Sequence, residues 1–181
     1  MDRRLVRKIL NGDHASANAW VKANYPSVQR FLWHLTGSRD EAADLTQQTF
    51  IRIGEALPGF RFECPLRSWV FRIAYREFQH WLRSRSRRPE VEMFDQPDPS
   101  QTLTEDTVLL LSALQKLPYE MSEAFWLREV EGLSVGEVSE ALEIPEGTVK
   151  SRCHFARTKL RATLSGAYLP NQEQLEIDHA G

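Results

Sequence analysis

Cysteine is scarce in this 181-residue chain: Cys64 and Cys153 are its only two, and neither has a paired Cys or His spacing. A disulfide-stapled secreted scaffold and a zinc site are therefore not expected. Long apolar runs are also missing, since the longest hold four or five residues, as in Val108–Leu111, against the roughly 20 that span a bilayer. The N-terminus starts an amphipathic pattern instead of a signal peptide. These absences predict a cytoplasmic protein without membrane insertion.

Net charge is also small, at −2, but the charges are segregated along the chain. Residues 1–88 hold 16 basic and 8 acidic side chains, whereas residues 89–181 hold 7 and 17. This asymmetry indicates a polyanionic partner for the first half. Within the acidic half, residues 148–162 carry five basic side chains and no acid, which predicts a focused basic patch.

The stretch 89–106 reads as a flexible acidic linker because it has six acids, no Lys or Arg, and three prolines. It separates an N-terminal unit, residues 1–88, from a C-terminal unit, residues 107–169, and residues 170–181 form a polar tail. No sustained alternation of period two appears, so the fold class is all-α with two small helical domains. In the first unit we expect one helix ending at Asn11-Gly12, a second over about 14–23, a third from Pro26, and a fourth capped by Ser38.

A long helix is predicted from about Leu66 to Arg83 with two distinct faces. The broad apolar face is expected to be core and holds Val70, Phe71, Ala74, Tyr75, Phe78, Trp81 and Leu82. The opposite stripe holds Arg72, Arg76, Gln79 and Arg83, edged by Trp69, Ile73 and His80. Cations pair with phosphates, and flat rings stack on unpaired bases at about 1–3 kcal/mol each, so the stripe fits a DNA strand. A solvated basic face with stray aromatics explains the same pattern.

The loop from Phe60 to Pro65 precedes this helix and also has two interpretations. Its two aromatics suit a pocket for an extruded base. They are equally suited to packing over the hydrophobic core, and one aromatic can pack there while the other contacts a base.

The C-terminal unit carries a helix-turn-helix pattern. One helix is expected to end at Glu131-Gly132, a Ser134-x-x-Glu137 capping box opens the next, and Glu143-Ile144-Pro145 forms the turn before a last helix from about Glu146. Short helix, tight turn and basic helix place the last helix in the DNA major groove. Its core stripe is expected to be Val149, Cys153, Ala156, Leu160 and Leu164.

The other faces of that last helix carry the candidate DNA contacts. Lys150, Ser151 and His154 lie near its N-terminus, where recognition helices read bases. Arg157 and Arg161 are placed to grip phosphates, with Thr158 on the same face, while Arg152 and Lys159 flank the core stripe. A solvated basic helix end is the alternative.

Four stretches, in order, resemble the extracytoplasmic-function (ECF) sigma factors of the sigma-70 family, the minimal bacterial sigma type. They are DEAADLTQQTF at 40–50, Phe60-Arg61 followed by SWVFRIA at 68–74, LQKLP at 114–118, and EGTVKSR at 146–152 with Ala156-Arg157. The resemblance covers about residues 5–165. It implies sigma region 2 in the first unit and the region 4 helix-turn-helix in the second.

By that resemblance, the partners are core RNA polymerase, promoter DNA and an anti-sigma protein, with no cofactor, no metal and no catalytic residue. Asp44, Gln47 and Phe50 would contact the clamp helices of the polymerase β′ subunit. The minus-ten element would be read and melted by Phe60, Arg61, Trp69, Arg72, Arg76, Gln79, His80 and Arg83. The minus-thirty-five element would be read by Lys150, Ser151, Arg152, His154, Arg157, Thr158 and Arg161.

Two residues depart from the family pattern. Arg76 stands where Asn is common, and Phe155 stands where a basic residue is frequent, so the recognised promoter sequence is expected to differ from the usual ones.

Three other classes of protein stay open at this point. A stand-alone helix-turn-helix regulator would explain residues 107–165 but leaves the first unit unused. An enzyme would use Asp40, Glu41 and Asp44 as metal ligands, although capping of a helix start explains these acids. A protein that binds polymerase but not DNA would leave both basic stripes without a role.

Overall fold

The structure is a computed structural model that describes residues 2–85, 113–114 and 116–168. Within these ranges every regular element is helical. The N-terminal half has α1 (Asp2–Leu10), α2 (His14–Thr36), α3 (Arg39–Ala56), a short 3₁₀ turn (Leu57–Gly59) and α4 (Leu66–Arg85); the C-terminal half has α5 (Tyr119–Phe125), a wide π-type turn (Trp126–Val130), α6 (Val135–Leu142) and α7 (Glu146–Tyr168). In this part of the chain no helix has the length and apolarity to cross a membrane. The all-α fold class is confirmed, whereas the predicted linker and tail lie outside the described residues.

Helix ends follow the signals that the sequence carries. Ser38 caps α3 by accepting a hydrogen bond from the Glu41 N–H at 3.4 Å. The capping box of α6 is complete, because Ser134 Oγ accepts from the Glu137 N–H at 3.2 Å and the Glu137 carboxylate accepts from the Ser134 N–H at 2.8 Å. Gly12 and Gly132 both take a positive φ, which glycine adopts without steric cost. These predicted boundaries are confirmed.

The prediction of two helices over 14–35 is wrong. The structure has one helix, α2, that runs through Pro26. A proline inside a helix loses one backbone hydrogen bond and costs about 3 kcal/mol. Continuity is retained because the C-terminal part of α2 buries Val28, Phe31 and Leu32 in the core, and burying large apolar side chains contributes about 1.5–3 kcal/mol each.

The predicted core face of α4 is confirmed except at its C-terminal end. Val70, Phe71 and Phe78 are at most 2% exposed, and the Phe71 ring meets Phe31 of α2 edge-on at 5.5 Å. Leu82 is 37% exposed and is not core. It lies near the C-terminal end of α4, where neighbouring Trp81 contacts Glu41 of α3 but Leu82 itself faces solvent, so periodicity alone overextends the buried stripe.

The two halves share one buried cluster, although the sequence suggested two separate units. Phe31, Phe71 and Ile53 from the first half belong to the same cluster as Leu127, Leu133 and Val138 from the second. Helix α4 packs along α6, and α2 touches α5. A second, smaller cluster of Val6, Leu57, Phe60 and Leu66 closes the other end of the N-terminal half. The basic helix predicted to meet DNA therefore lies against the helix-turn-helix.

Candidate nucleic-acid interface

The basic stripe of α4 faces α6, and its two central arginines carry acidic partners from the C-terminal half. Arg72 Nε donates to the Glu140 backbone carbonyl at 2.6 Å, and its Nη2 forms a close ion pair with the Glu140 carboxylate. Arg76 makes a two-pronged contact with Glu143, with Nε to Oε2 at 3.1 Å and Nη2 to Oε1 at 2.5 Å. The Glu143 carboxylate raises the pKa of Arg76, and Arg76 lowers the pKa of Glu143, because each charge stabilises the other.

A cleft of about 450 Å³ opens between the same two helices. Its walls are Tyr75, Arg76, Gln79, His80, Arg83, Leu142 and Glu143. Four of these residues belong to the predicted minus-ten set, so the structure brings the C-terminal part of that set together around one opening.

The aromatic loop before α4 divides into a buried and an exposed part. Phe60 is 9% exposed and packs on Phe62 at 4.6 Å and on Trp69 at 4.8 Å between ring centroids. Phe62 has φ 59°, a left-handed conformation that is strained for an aromatic residue, and the Arg3 guanidinium lies 5.2 Å from its ring centre. Arg61 is exposed. In this arrangement Phe60 is part of the core, and Arg61 is a basic loop side chain that solvent or DNA can reach.

Helix α7 presents most of its predicted DNA contacts to solvent. Val149, Cys153, Ala156 and Leu160 are buried as predicted. Lys150, Ser151, His154, Thr158 and Arg161 are exposed on the other faces. Arg157 is also exposed but pairs with Glu129 at 2.5 Å. Phe155 is 53% exposed, and its ring lies 5.7 Å from the His154 ring, so an apolar surface adjoins the predicted base readers.

Arg152 points the other way, into the protein. Its Nη1 donates to Glu123 Oε1 at 2.9 Å, and the Glu123 side chain is fully buried. Burial raises the pKa of Glu123 to about 7, with the nearby Arg152 charge opposing that rise. Arg152, which the sequence placed among the minus-thirty-five contacts, is in this structure the counter-ion of a buried carboxyl group.

His34 of α2 joins the two halves through a partly buried hydrogen bond. Its Nε2 lies 2.7 Å from Ser122 Oγ, and its ring stacks on Trp126 at 4.3 Å. Because the Ser122 hydroxyl donates to the Leu114 carbonyl at 3.2 Å, its oxygen accepts from a neutral His34. Burial lowers the pKa of His34 to about 4.

The opposite shifts of His34 and Glu123 predict a specific pH dependence of stability. Protonation of unfolded His34 lowers the free energy of unfolding as pH falls from about 6.5 to 4, whereas ionisation of Glu123 lowers it as pH rises from about 4.5 to 7. The two effects oppose each other between these values. Glu123→Gln removes the effect of Glu123 and leaves that of His34. Urea unfolding of this variant should therefore show a free energy of unfolding that rises by on the order of 2–4 kcal/mol from pH 4 to 7. His34→Gln should give the reverse slope, and parallel profiles for both variants and the parent would contradict the assignment.

The predicted polymerase contacts on α3 divide into exposed and packed side chains. Asp44 and Gln47 are exposed, whereas the Phe50 ring stacks on Tyr25 at 5.5 Å and meets Trp20 edge-on at 6.0 Å. Glu41, which an enzyme would use as a metal ligand, accepts from the Trp81 indole N–H at 2.7 Å. Phe50 therefore anchors α3 to α2, and Asp44 and Gln47 remain on the surface.

Two family models match this chain, one in each half. Sigma-70 region 2 matches residues 20–88, and Sigma-70 region 4 matches residues 107–160. The chain belongs to the sigma-70 family. Because the region 2 match covers α4 and most of the N-terminal half, the chain is a sigma factor and not a stand-alone regulator.

Named relatives support this over nearly the whole chain. The ECF RNA polymerase sigma-E factor of Haemophilus influenzae is 28% identical over 86% of this chain and 91% of its own length. The RNA polymerase sigma-H factor of Pseudomonas aeruginosa is 28% identical over 90% of this chain and 93% of its own. The ECF sigma factor SigE of Mycolicibacterium smegmatis is 35% identical over 85% of this chain, which spans 65% of that longer protein.

Known structures match the arrangement of both halves. The sigma factor RpoE of Bartonella quintana, in complex with the anti-sigma factor NepR, superposes with a TM-score of 0.73 at 26% identity, over 82% of this chain and 96% of that one. CnrH, in complex with the cytosolic domain of CnrY, shares the fold with a TM-score of 0.70 at 22% identity.

The sequence did not reveal the acidic partners of the candidate interface. Glu140 and Glu143 read as ordinary polar positions of a short helix and its turn. One signal was present: a Glu at the end of α6, where Gly or Asn is favoured, indicates that its side chain has another use. Nothing in the local pattern identifies Arg72 and Arg76 as its neighbours.

Proposed function

We propose that this sigma factor binds core RNA polymerase and directs it to promoters by reading a minus-thirty-five element with α7 and reading and melting a minus-ten element with α4 and the Phe60 loop. The observation that carries the proposal is the presence, in one chain, of a helix-turn-helix whose last helix exposes basic side chains and of a second helix that interleaves arginines with aromatics. Catalysis stays with the polymerase, so the chain is not an enzyme, and it acts in the cytoplasm. Residues 1–88 serve as region 2, 89–106 as the linker and 107–169 as region 4.

The polymerase-binding surface in this proposal is the exposed face of α3. Asp44 and Gln47 supply its polar contacts. Phe50 contributes by holding α3 against Trp20 and Tyr25, so its effect on polymerase is indirect.

Asp44→Ala and Phe50→Ala should separate these two roles. Asp44→Ala should weaken core binding about tenfold, as expected for a central interface contact, and change the free energy of unfolding by less than about 0.5 kcal/mol. Phe50→Ala should lower the free energy of unfolding by about 2–4 kcal/mol, because it leaves a gap between α2 and α3. Core affinity by fluorescence anisotropy and urea unfolding measure both. A stable Phe50→Ala chain with weak core binding would instead make Phe50 a direct contact.

An anti-sigma protein is the expected inhibitory partner. Support comes from RpoE of Bartonella quintana, which matches across both halves and was captured with the anti-sigma factor NepR. A partner of that kind would find α2, α4 and the helix-turn-helix of this chain in a comparable arrangement.

Start-site mapping tests the proposed function. Purified core polymerase, with and without the full chain, is run in multi-round transcription on pooled genomic fragments, and the RNA 5′ ends are sequenced. Chain-dependent starts that share two upstream elements are expected. Intact core binding without new starts would favour a protein that binds polymerase but not DNA, and absence of core binding as well would overturn the proposal.

A further inference from the structure

The two central arginines that α4 would offer to DNA already have acidic partners within the chain. Arg72 uses both Nε and Nη2 on Glu140, and only 21% of its side chain is exposed. Arg76 uses the same edge, Nε and Nη2, on Glu143. A two-pronged contact of this kind is how arginine binds a phosphate, so one arginine edge cannot hold the glutamate and a DNA phosphate together.

The backbone of Glu143 gives an independent indication that its side chain has a role. Glu143 ends α6 with φ 57° and ψ 42°, the left-handed conformation in which glycine is favoured. A residue with a Cβ is less stable there than glycine, so the turn alone does not account for a glutamate. The carboxylate on this residue is what reaches Arg76.

Further contacts hold the two halves in this register. Glu131, 5% exposed, accepts from Arg67 Nη2 of α4 at 3.1 Å and lies 3.7 Å from Arg30 Nη2 of α2. His34 bonds to Ser122 nearby. The ion pairs of Arg76 and Arg72 each have an acidic partner that is about half exposed, and they are individually weak because pairs in contact with water contribute little and are screened by salt. A polyanion can therefore compete for these arginines once the contacts of Glu131 and His34 are broken.

We infer that Glu140 and Glu143 are an internal competitor of promoter DNA: they occupy Arg72 and Arg76 in the isolated chain and give them up when core polymerase separates the two halves. The inference rests on the proposed function for its biological meaning. Its direct consequence, tighter DNA binding when the carboxylates are neutralised, needs no polymerase.

The test measures binding of a fluorescein-labelled, mixed-sequence single-stranded DNA oligonucleotide to the full chain without polymerase. Glu140→Gln with Glu143→Gln should bind about tenfold more tightly than the parent at low salt, as expected from releasing two charged contacts. The matched control is Glu55→Gln with Glu77→Gln, which makes the same change in net charge but removes acids that pair with Arg52. The control should change DNA affinity by less than about twofold, because it leaves the α4 arginines paired. Equal gains in both double variants would reduce the effect to net charge and overturn the inference.

The variant Glu143→Gly removes the carboxylate without destabilising the turn, so it tests the role of Glu143 in a folded chain. Glycine suits the left-handed position, so the variant should unfold at no lower temperature than Glu143→Gln and still bind the oligonucleotide more tightly than the parent. Parent-like DNA affinity in a folded Glu143→Gly chain would overturn the role of Glu143. Start-site mapping separates the two proposals. If both hold, the Gln double variant should initiate at the same sites as the parent. If the parent gives no start sites while the Gln double variant still shows the predicted gain in DNA affinity, only the proposed function is overturned.

Discussion

Arg72→Ala with Arg76→Ala should leave core binding within about twofold of the parent and slow promoter opening by about ten- to a thousandfold. Each arginine is expected to hold DNA by a charged contact, and losing one such contact costs about 1–2 kcal/mol, with more where a base is also read. Neither residue lies on the exposed face of α3 that is proposed to meet polymerase. Core affinity by anisotropy and open-complex formation by stopped-flow fluorescence at a mapped promoter measure the two effects separately.

The control for this prediction removes the same charge from another helix. Arg4→Ala with Arg7→Ala takes two exposed arginines from α1, far along the chain from the cleft between α4 and α6. It should reduce opening by no more than about threefold, as a loss of general attraction to DNA. Equal loss of core binding and of opening in the Arg72/Arg76 variant would refute the division of roles.

Lys150→Ala with His154→Ala should lower initiation at promoters with an upstream element by about ten- to a thousandfold. Both side chains are exposed near the start of α7, where a recognition helix meets base edges, and each good base contact contributes about 1–3 kcal/mol of discrimination. Quantified transcription from one mapped promoter measures the effect. Lys159→Ala, on the flank of the same helix, is the control for loss of charge, and it should lower initiation by less than about threefold.

Scrambling the upstream element gives this prediction its sharpest form. On such a template the parent and the Lys150/His154 variant should initiate equally poorly, because the lost contacts have no target. A variant that is still impaired on the scrambled template would place these residues in folding or polymerase binding and not in base reading.

Local features of the fold could be predicted from sequence because their causes are local. The capping box at Ser134 and Glu137, the glycine stop at Gly12 and the buried stripe of α7 each depend on residues within a few positions of one another. The helix-turn-helix follows from these signals in order, and so does its exposed basic face.

Features that depend on distant neighbours could not be predicted in this way. Pro26 marks a helix break by its own chemistry, but packing of Val28 and Phe31 against the core keeps α2 continuous. Arg152 has the pattern of a DNA contact, yet Glu123, 29 positions earlier in the chain, takes it as a buried counter-ion. The pairing of Arg76 with Glu143 spans 67 positions and has no periodic signature.

Permanganate footprinting of a mapped promoter tests the central claim most directly, because permanganate oxidises thymines that are unpaired. Core polymerase with the full chain should make thymines of the minus-ten element reactive, and core alone or the chain alone should not. The Arg72/Arg76 variant bound to core should leave those thymines protected while the upstream element stays occupied. Reactive minus-ten thymines with that variant at the parent's level, or melting by core alone, would contradict the account of α4 as the helix that opens the promoter.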